Sequence, residues 1–399
     1  MMDVVRAVIF FFVVLAAVTA TPPGPQILPP WPATWNMSRS TAFMPCDTDG
    51  VGPVPFDPQS AAKWGIADFD WSNGRNYWSI QKPMNCEETL LSQAEATHAA
   101  NSETHVMVYR NSIKALPWFT SVREKLEDPA YWGFFLPFAN CTHYECGPNA
   151  TLNLYHDFEQ SERDGDCGLG VECGEYLFEL RNKSARAWLS GEYLTSETGL
   201  KSPAVNGFYF DDQWKLSGPT EVDPKSVAAM GLTPADVADL VAASVLSREE
   251  MFNTTVAAGG YVFNHLYSPT PNNASDAAAA CAPKLRALCQ TNAHPQTQTY
   301  LMQFTAARGR AGWPIPYPLQ DLAIFLLSRG DYSWIGYSWW GCNSPQNFTR
   351  PSFLDVDYGI PTGGICKETG NDTGVFVRNY TKADVTMDCK TFTPTITMK

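Results

Sequence analysis

The chain has 399 residues and a formal charge of −13, from 28 Lys or Arg against 41 Asp or Glu, and is 44% hydrophobic and 13% aromatic. That length buries a full core in one large domain or two ordinary ones, and the apolar content excludes disorder as an overall description. The surplus of acid, with no Lys/Arg run set against it, excludes nucleic acid as an expected partner and leaves neutral polymers open.

The first twenty residues, MMDVVRAVIFFFVVLAAVTA, place Arg6 ahead of an apolar run from Ala7 to Val18 and end on the small residue Ala20. This reads as a secretory signal cleaved near Ala20, because the run is shorter than the roughly 20 residues that span hydrocarbon. No stable membrane insertion is expected after its removal. Eleven cysteines and nine Asn-x-Ser/Thr sequons, at Asn36, Asn140, Asn149, Asn182, Asn253, Asn273, Asn347, Asn371 and Asn379, agree with export through a eukaryotic secretory pathway to the cell surface or beyond. Cys141 with Cys146, Cys167 with Cys173 and Cys281 with Cys289 are spaced to staple loops, while Cys342, Cys366 and Cys389 are placed to hold the tail. No Cys-x-x-Cys or zinc-type histidine spacing occurs, so no metal or organic cofactor is implied. The odd count leaves one thiol free or bonded to another chain, and the oligomeric state is open.

A proline-rich leader occupies residues 21–60, followed by one domain over 61–399. Strand-like runs are expected at Gly65–Asp70, His105–Tyr109, Trp132–Phe138, Leu152–Phe158, Val205–Asp211, Gly260–His265, Thr299–Phe304 and Ser333–Trp339. Helical stretches are expected at Glu87–Ala100, Trp118–Leu126, Gly174–Leu189, Thr233–Met251, Asp276–Leu288 and Pro318–Leu327, with Thr233-Pro234 as cap and first helical residue. Strand then helix, repeated, predicts an α/β fold with parallel strands, and eight strand candidates predict a (β/α)8 barrel of TIM type with long stapled loops and a C-terminal hairpin. An open doubly wound sheet is the competitor, but no glycine-rich nucleotide turn is present.

In such a barrel the strand C-termini converge on one mouth, so the polar residue that ends each apolar run matters most. GIADFDWSN ends in Asp70, VMVYRN in Tyr109 and Arg110, LYHDFEQ presents His156, Asp157 and Glu159, and VNGFYFDDQW ends in Asp211, Asp212 and Trp214. Alternation places Asp68 and Asp70 on one face, and Tyr209 with Asp211 opposite Phe210 with Asp212, so the two adjacent carboxylates diverge unless the strand has ended. Separated carboxylates fit glycosidic bond cleavage, where one stays protonated for the leaving oxygen and another stays ionised to attack or to activate water. Trp71, Trp78, Trp214, Trp339 and Trp340 adjoin strand ends, where indoles stack on sugar faces. No Gly-x-Ser-x-Gly elbow accompanies His156-Asp157, which disfavours a serine hydrolase or sugar esterase. His265 and Gln303 also end strand-like runs. Each of these residues also has a structural reading, as a satisfied core or rim group.

The stretches ADFDWSNGRNYW, KPMNCEETL, VYRNSIKALPWFTSVREKLEDPAYWGFF, YHDFEQ, VNGFYFDDQW, RPSFLDVDYGIPTGGICKET and GVFVRNYTKADVTMDC resemble the glycosyl-hydrolase-like proteins of the hypothetical glycosyl hydrolase family 15 type, over roughly Lys63 to Cys389. The resemblance implies an exported TIM-barrel protein of the sugar-cleaving superfamily whose acidic strand ends face a carbohydrate, without assigning residue roles. From position alone, Asp212 is expected to be the general acid, with burial raising its pKa, and Asp70 the ionised partner with Arg110 as its counter-ion. Asp211, Tyr109, Arg110, His156 and Asp157 are expected to position sugar or set charge, and the tail hairpin, with Asp355, to bring Asp357 or Arg378 near substrate or to serve as a structural lid. A carbohydrate-binding or cell-surface protein on the same barrel is the alternative from another class.

Overall fold

The computed structural model describes residues 28–45, 57–139, 153–157, 165–215, 222–263, 265–267, 273–290, 297–302, 317–337 and 350–399. The signal, Glu159, Gln303, Trp339, Trp340, Cys46, Cys141, Cys146, Cys342 and the sequons at Asn140, Asn149 and Asn347 lie outside them.

Strand β1 (Ala42–Phe43) is followed by helix α1 (Pro58–Ala61), strand β2 (Ile66–Phe69) and helices α2 (Arg75–Trp78) and α3 (Cys86–Ala100). Next come β3 (His105–Asn111), β4 (Lys114–Ala115) and α4 (Thr120–Glu127), then the short strands β5 (His156–Asp157), β6 (Asp166–Gly168), β7 (Val171–Glu172) and β8 (Glu175–Leu177). Helices α5 (Lys183–Ser190) and α6 (Glu192–Thr195) lead to β9 (Gly207–Asp211), and α7 (Pro224–Ala229) and α8 (Pro234–Ala257) to β10 (Tyr261–Val262) and β11 (His265–Tyr267). Helix α9 (Ala274–Leu288), β12 (Thr297–Met302), α10 (Pro318–Ser328) and β13 (Tyr332–Tyr337) precede four tail strands, β14 (Lys367–Glu368), β15 (Val375–Asn379), β16 (Ala383–Asp388) and β17 (Thr393–Met398).

Among the described residues eight strands run parallel, as the strand-helix alternation predicts, but in two hydrogen-bonded sheets: β1-β2-β3-β9-β10 and β11-β12-β13. A single parallel bridge, Thr41 to Ile335, touches the outer strands together, with the Ile335 N–H donating to the Ser40 carbonyl at 3.0 Å. The expected eight-strand set is revised at two places. The run Trp132–Phe138 begins as a 3-10 helix over Pro129–Phe134, because Asp128 caps it by accepting from the Ala130 N–H and Pro129 fits its first position. Of the run Leu152–Phe158, the described residues contribute β5, to a small antiparallel sheet β4-β8-β5 rather than to the parallel strands.

The helix expected from Gly174 is likewise shortened. Tyr176 and Leu177 pair as strand, and Asn182, whose side chain accepts from the Ser184 N–H, delays the helix to Lys183. Helix α8 starts where Thr233-Pro234 predicts, with Thr233 and Asp236 exchanging the two bonds of a capping box. Hydrophobic side chains divide accordingly. A large cluster fills the space between the strands and their helices, while Ala42, Ile66, Met107, Tyr261, Phe263 and Trp334, from five parallel strands or their ends, form a second cluster of their own.

The tail is an antiparallel sheet, β14-β15-β16-β17, instead of a lone hairpin. Buried Arg378 donates to the carbonyls of Leu326, Leu327 and Arg329 at 3.1, 3.3 and 2.7 Å, satisfying the C-terminus of α10, and so serves the structure. Cys167 bonds Cys173 as its spacing suggests, but Cys281 and Cys289 bond Cys389 and Cys366 instead of one another. Cys281 lies in α9 and Cys289 is its C-cap, so the helix between them sets them about 12 Å apart, beyond disulfide reach. Among the described residues Cys86 is a free, buried thiol, and no helix is long and apolar enough to cross a membrane.

Candidate active site

Register fixes the site. Phe69 pairs with Val108, which sets the next residue, Asp70, level with Tyr109; Tyr109 pairs with Tyr209, and Asn111 with Asp211. Because side chains alternate along a strand, Asp68, Asp70, Met107, Tyr109, Asn111, Tyr209 and Asp211 share one face of three neighbouring strands. The acids and phenols gather at its C-terminal edge.

The same alternation sends Arg110 the other way. Its guanidinium is fully buried against α3, 3.3 Å from the Glu87 carboxylate, and it lies over the rings of Phe119, Tyr193 and Phe208. The expected counter-ion of Asp70 is therefore the partner of Glu87. Asp70 instead accepts from the Ser72 N–H at 2.9 Å and from the Ser72 hydroxyl at 2.5 Å, a turn that ends β2.

Asp211 closes β9 half-buried. Its Oδ1 accepts from the Asp212 N–H at 2.9 Å and from the Tyr209 hydroxyl at 3.3 Å, and its Oδ2 accepts from the Tyr109 hydroxyl at 3.2 Å. Burial, then the adjacent charge of Asp212, raises its pKa above the usual carboxylate range, against the pull of the Asp212 N–H, the Tyr109 hydroxyl and Lys114. Asp68, one alternation deeper, is buried, and its pKa is raised well above that range by burial and by the charges of Asp70 and Asp211. Tyr109 is pushed up by burial and by Asp211, Asp212 and Asp70, so these acids act on one another across three strands.

Asp212 lies just past the strand, with φ 56°, a left-handed conformation that aspartate tolerates better than most residues. The Ser112 hydroxyl bonds the carbonyls of both Asp211 and Asp212, at 2.8 and 2.6 Å, and holds this turn. The Asp212 Oδ2 accepts from the Asn111 amide at 2.6 Å and pairs with Lys114 at 3.2 Å. Lys114 also pairs with Glu175 of β8 at 2.9 Å; burial opposes its charge, but the two carboxylates outweigh burial and raise its pKa. Glu175 is raised by burial, against Lys114, and lies across from Asp157 in the β5–β8 ladder.

The remaining expected contacts separate. His156 is buried in β5, its Nδ1 donating to the Leu154 carbonyl at 2.9 Å and its ring stacked on Tyr176, and burial lowers its pKa. Trp71 is half-buried, 4.9 Å from the Trp118 ring, whereas Trp214 is a core side chain. Asp357 is exposed in the tail and paired with Lys382. The backbone of His265 begins β11. Asn111, Lys114 and Glu175 were missed by sequence reasoning. Only Asn111 carried a signal there, two positions after Tyr109 and hence on the face of Asp211. Among the described residues no group of three or more His, Cys, Asp or Glu side chains is arranged to hold a metal ion.

No family model matches the chain, and no curated protein does. Among solved structures, the chain is similar to a sucrose 6F-phosphate phosphorylase from Thermoanaerobacter thermosaccharolyticum, at 9% identity and TM-score 0.44, covering 90% of this chain and 95% of that one. It is also similar to a debranching enzyme from Nostoc punctiforme, at 10% identity and TM-score 0.40 with 90% of each chain covered. An alpha-amylase from Geobacillus thermoleovorans follows, at 9% identity and TM-score 0.36, with 88% and 86% covered. Likeness at these TM-scores does not carry an activity over to this chain.

Proposed function

We propose that the chain is a glycoside hydrolase in which Asp211 delivers the proton to the leaving oxygen and Asp70 is the ionised partner. What carries this reading is the pairing of a half-buried carboxyl of raised pKa with a second acid on the same face two strands away. Two strand spacings amount to about 10 Å between the strands, and side chains leaning into a shared mouth come closer than that.

The proton goes to Asp211 rather than Asp212 for a chemical reason. Asp212 is committed to Lys114 and Asn111, and its charge favours a neutral neighbour. On Asp211, Oδ1 takes two donors and Oδ2 only one, so Oδ2 has the room to carry the proton. The phenol rings of Tyr109 and Tyr209 and the half-buried face of Trp71 lie at the same edge, where the apolar face of a sugar ring would rest.

The eight parallel strands are proposed to close into one ring. In support, β10 runs into β11 across Phe263 and one further residue, and β13 touches β1 at Thr41. Export is proposed as well: three disulfides suit an oxidising compartment, and the sequon asparagines Asn36, Asn253, Asn273, Asn371 and Asn379 are exposed.

The test is release of reducing sugar from a panel of neutral polysaccharides. Asp211→Asn and Asp70→Asn are each expected to lose at least about a hundredfold in rate, and the wild-type rate to fall as rising pH strips the proton from Asp211. Undiminished release by Asp211→Asn overturns the assignment. Glycan binding by the wild type with no release points to a binding protein instead.

A further inference from the structure

The Asn111 side chain uses its whole hydrogen-bonding capacity between the two adjacent acids. Its Nδ2 carries two hydrogens, given to the Tyr109 hydroxyl oxygen at 2.7 Å and to Asp212 Oδ2 at 2.6 Å. Its Oδ1 accepts from the backbone N–H groups of Ile113 at 2.9 Å and Lys114 at 2.6 Å. A flipped amide would set an oxygen against the Asp212 carboxylate and a nitrogen against two N–H donors, so only this orientation satisfies the group. The side chain is fully buried.

Two consequences follow for its neighbours. Because Tyr109 receives a hydrogen from Asn111, its own proton is directed to the other acceptor within reach, Asp211 Oδ2. Asp212, receiving the second hydrogen, is turned to the Lys114 side. We infer that Asn111 is the positioning residue of the site, fixing Tyr109 as a donor to Asp211 and holding Asp212 with Lys114, so that one amide gives two sequence-adjacent carboxylates different environments.

Its catalytic meaning rests on the hydrolase reading, but its test does not. The measurement is a carboxyl titration of Asp211 by NMR on 13C-aspartate-labelled full-length chain, which needs no substrate. Tyr109→Phe removes the phenol and Asn111→Leu the hydrogen bond that orients its proton, so each is expected to raise the proton affinity of Asp211, by up to roughly ten- to a hundredfold, the worth of one hydrogen bond to the charged form. The double variant is expected to shift it no further than the larger single change, because the two residues act in series. An Asp211 midpoint unmoved by Asn111→Leu, or shifts that simply add in the double variant, overturns the inference. If the leucine variant does not fold, Asn111→Ser enters the same cycle, with a smaller shift in the same direction expected and no shift overturning it. Where sugar release is measurable, kcat and the high-pH limb of its profile move with the Asp211 midpoint while KM stays within about twofold.

Discussion

Asp68 lies one alternation beneath Asp70 and carries a pKa raised well above the usual carboxylate range, with burial as the largest cause. An acid raised in the folded state stabilises it fully below the unfolded pKa, near 3.9, and loses that contribution as pH rises through the folded value. Asp68→Asn has no proton to lose. Chemical denaturation from about pH 4 to neutrality is therefore expected to show wild type losing stability relative to the variant as pH rises, and parallel curves would refute this account. Arg110 illustrates how much of such a site is legible. Its residue type, next to Tyr109 at a strand end, invites pairing with Asp70, yet alternation alone places it on the opposite face, where Glu87 and three rings receive it. The phenols Tyr109 and Tyr209 were readable by the same rule. Lys114 and Glu175 were not, because the chain turns after Asn111 and no period relates β4 and β8 to the parallel strands.

Among the elements, those with strong end signals were the most legible. Helix α8 is written in Thr233-Pro234 and Asp236, and α9 and α10 in their apolar spacing, whereas β8 was hidden inside what read as one long helix until Asn182 is recognised as the true cap. The docking of the tail sheet depends on contacts distant in sequence. Two disulfides join α9 to it, at separations of 108 and 77 residues, and Arg286 of α9 forms a two-point pair with Glu368 at 2.8 and 2.9 Å. Arg286 is the first cause holding the Glu368 carboxyl down at about 2, so that contact persists in moderate acid. Constraint of the unfolded chain gives each long loop a worth of about 4 kcal/mol. Replacing Cys289 and Cys366 together by serine is expected to lower unfolding stability by roughly that amount, and to expose the tail sheet to protease before the parallel strands. Unchanged stability would mean that the Cys281–Cys389 bond, Arg378 and Arg286 hold the sheet without it.

At the scale of the molecule, the sequence carries the parallel α/β class through its alternation of apolar runs and helices, but not the pairing of those runs. β1 is only two residues long and offers no period, and two of the eight expected strands lie outside the parallel set. The proposed ring makes a physical claim that these elements can test, because its interior would be the separate cluster of Ala42, Ile66, Met107, Tyr261, Phe263 and Trp334. Trp334 belongs to β13, in the three-stranded sheet, while Ile66 and Met107 belong to the five-stranded one. Trp334→Ala removes a buried indole from between them, at a cost of about 3–5 kcal/mol if the site does not collapse. Were the sheets separate bodies, hydrogen exchange would quicken in β11 to β13 alone. Closure into a ring instead couples them through the shared interior, so exchange is expected to quicken in β2, β3 and β9 together with β12 and β13. That coupling bears on the site directly, since Asp70 and Asp211 keep their relation only while β2, β3 and β9 stay in register.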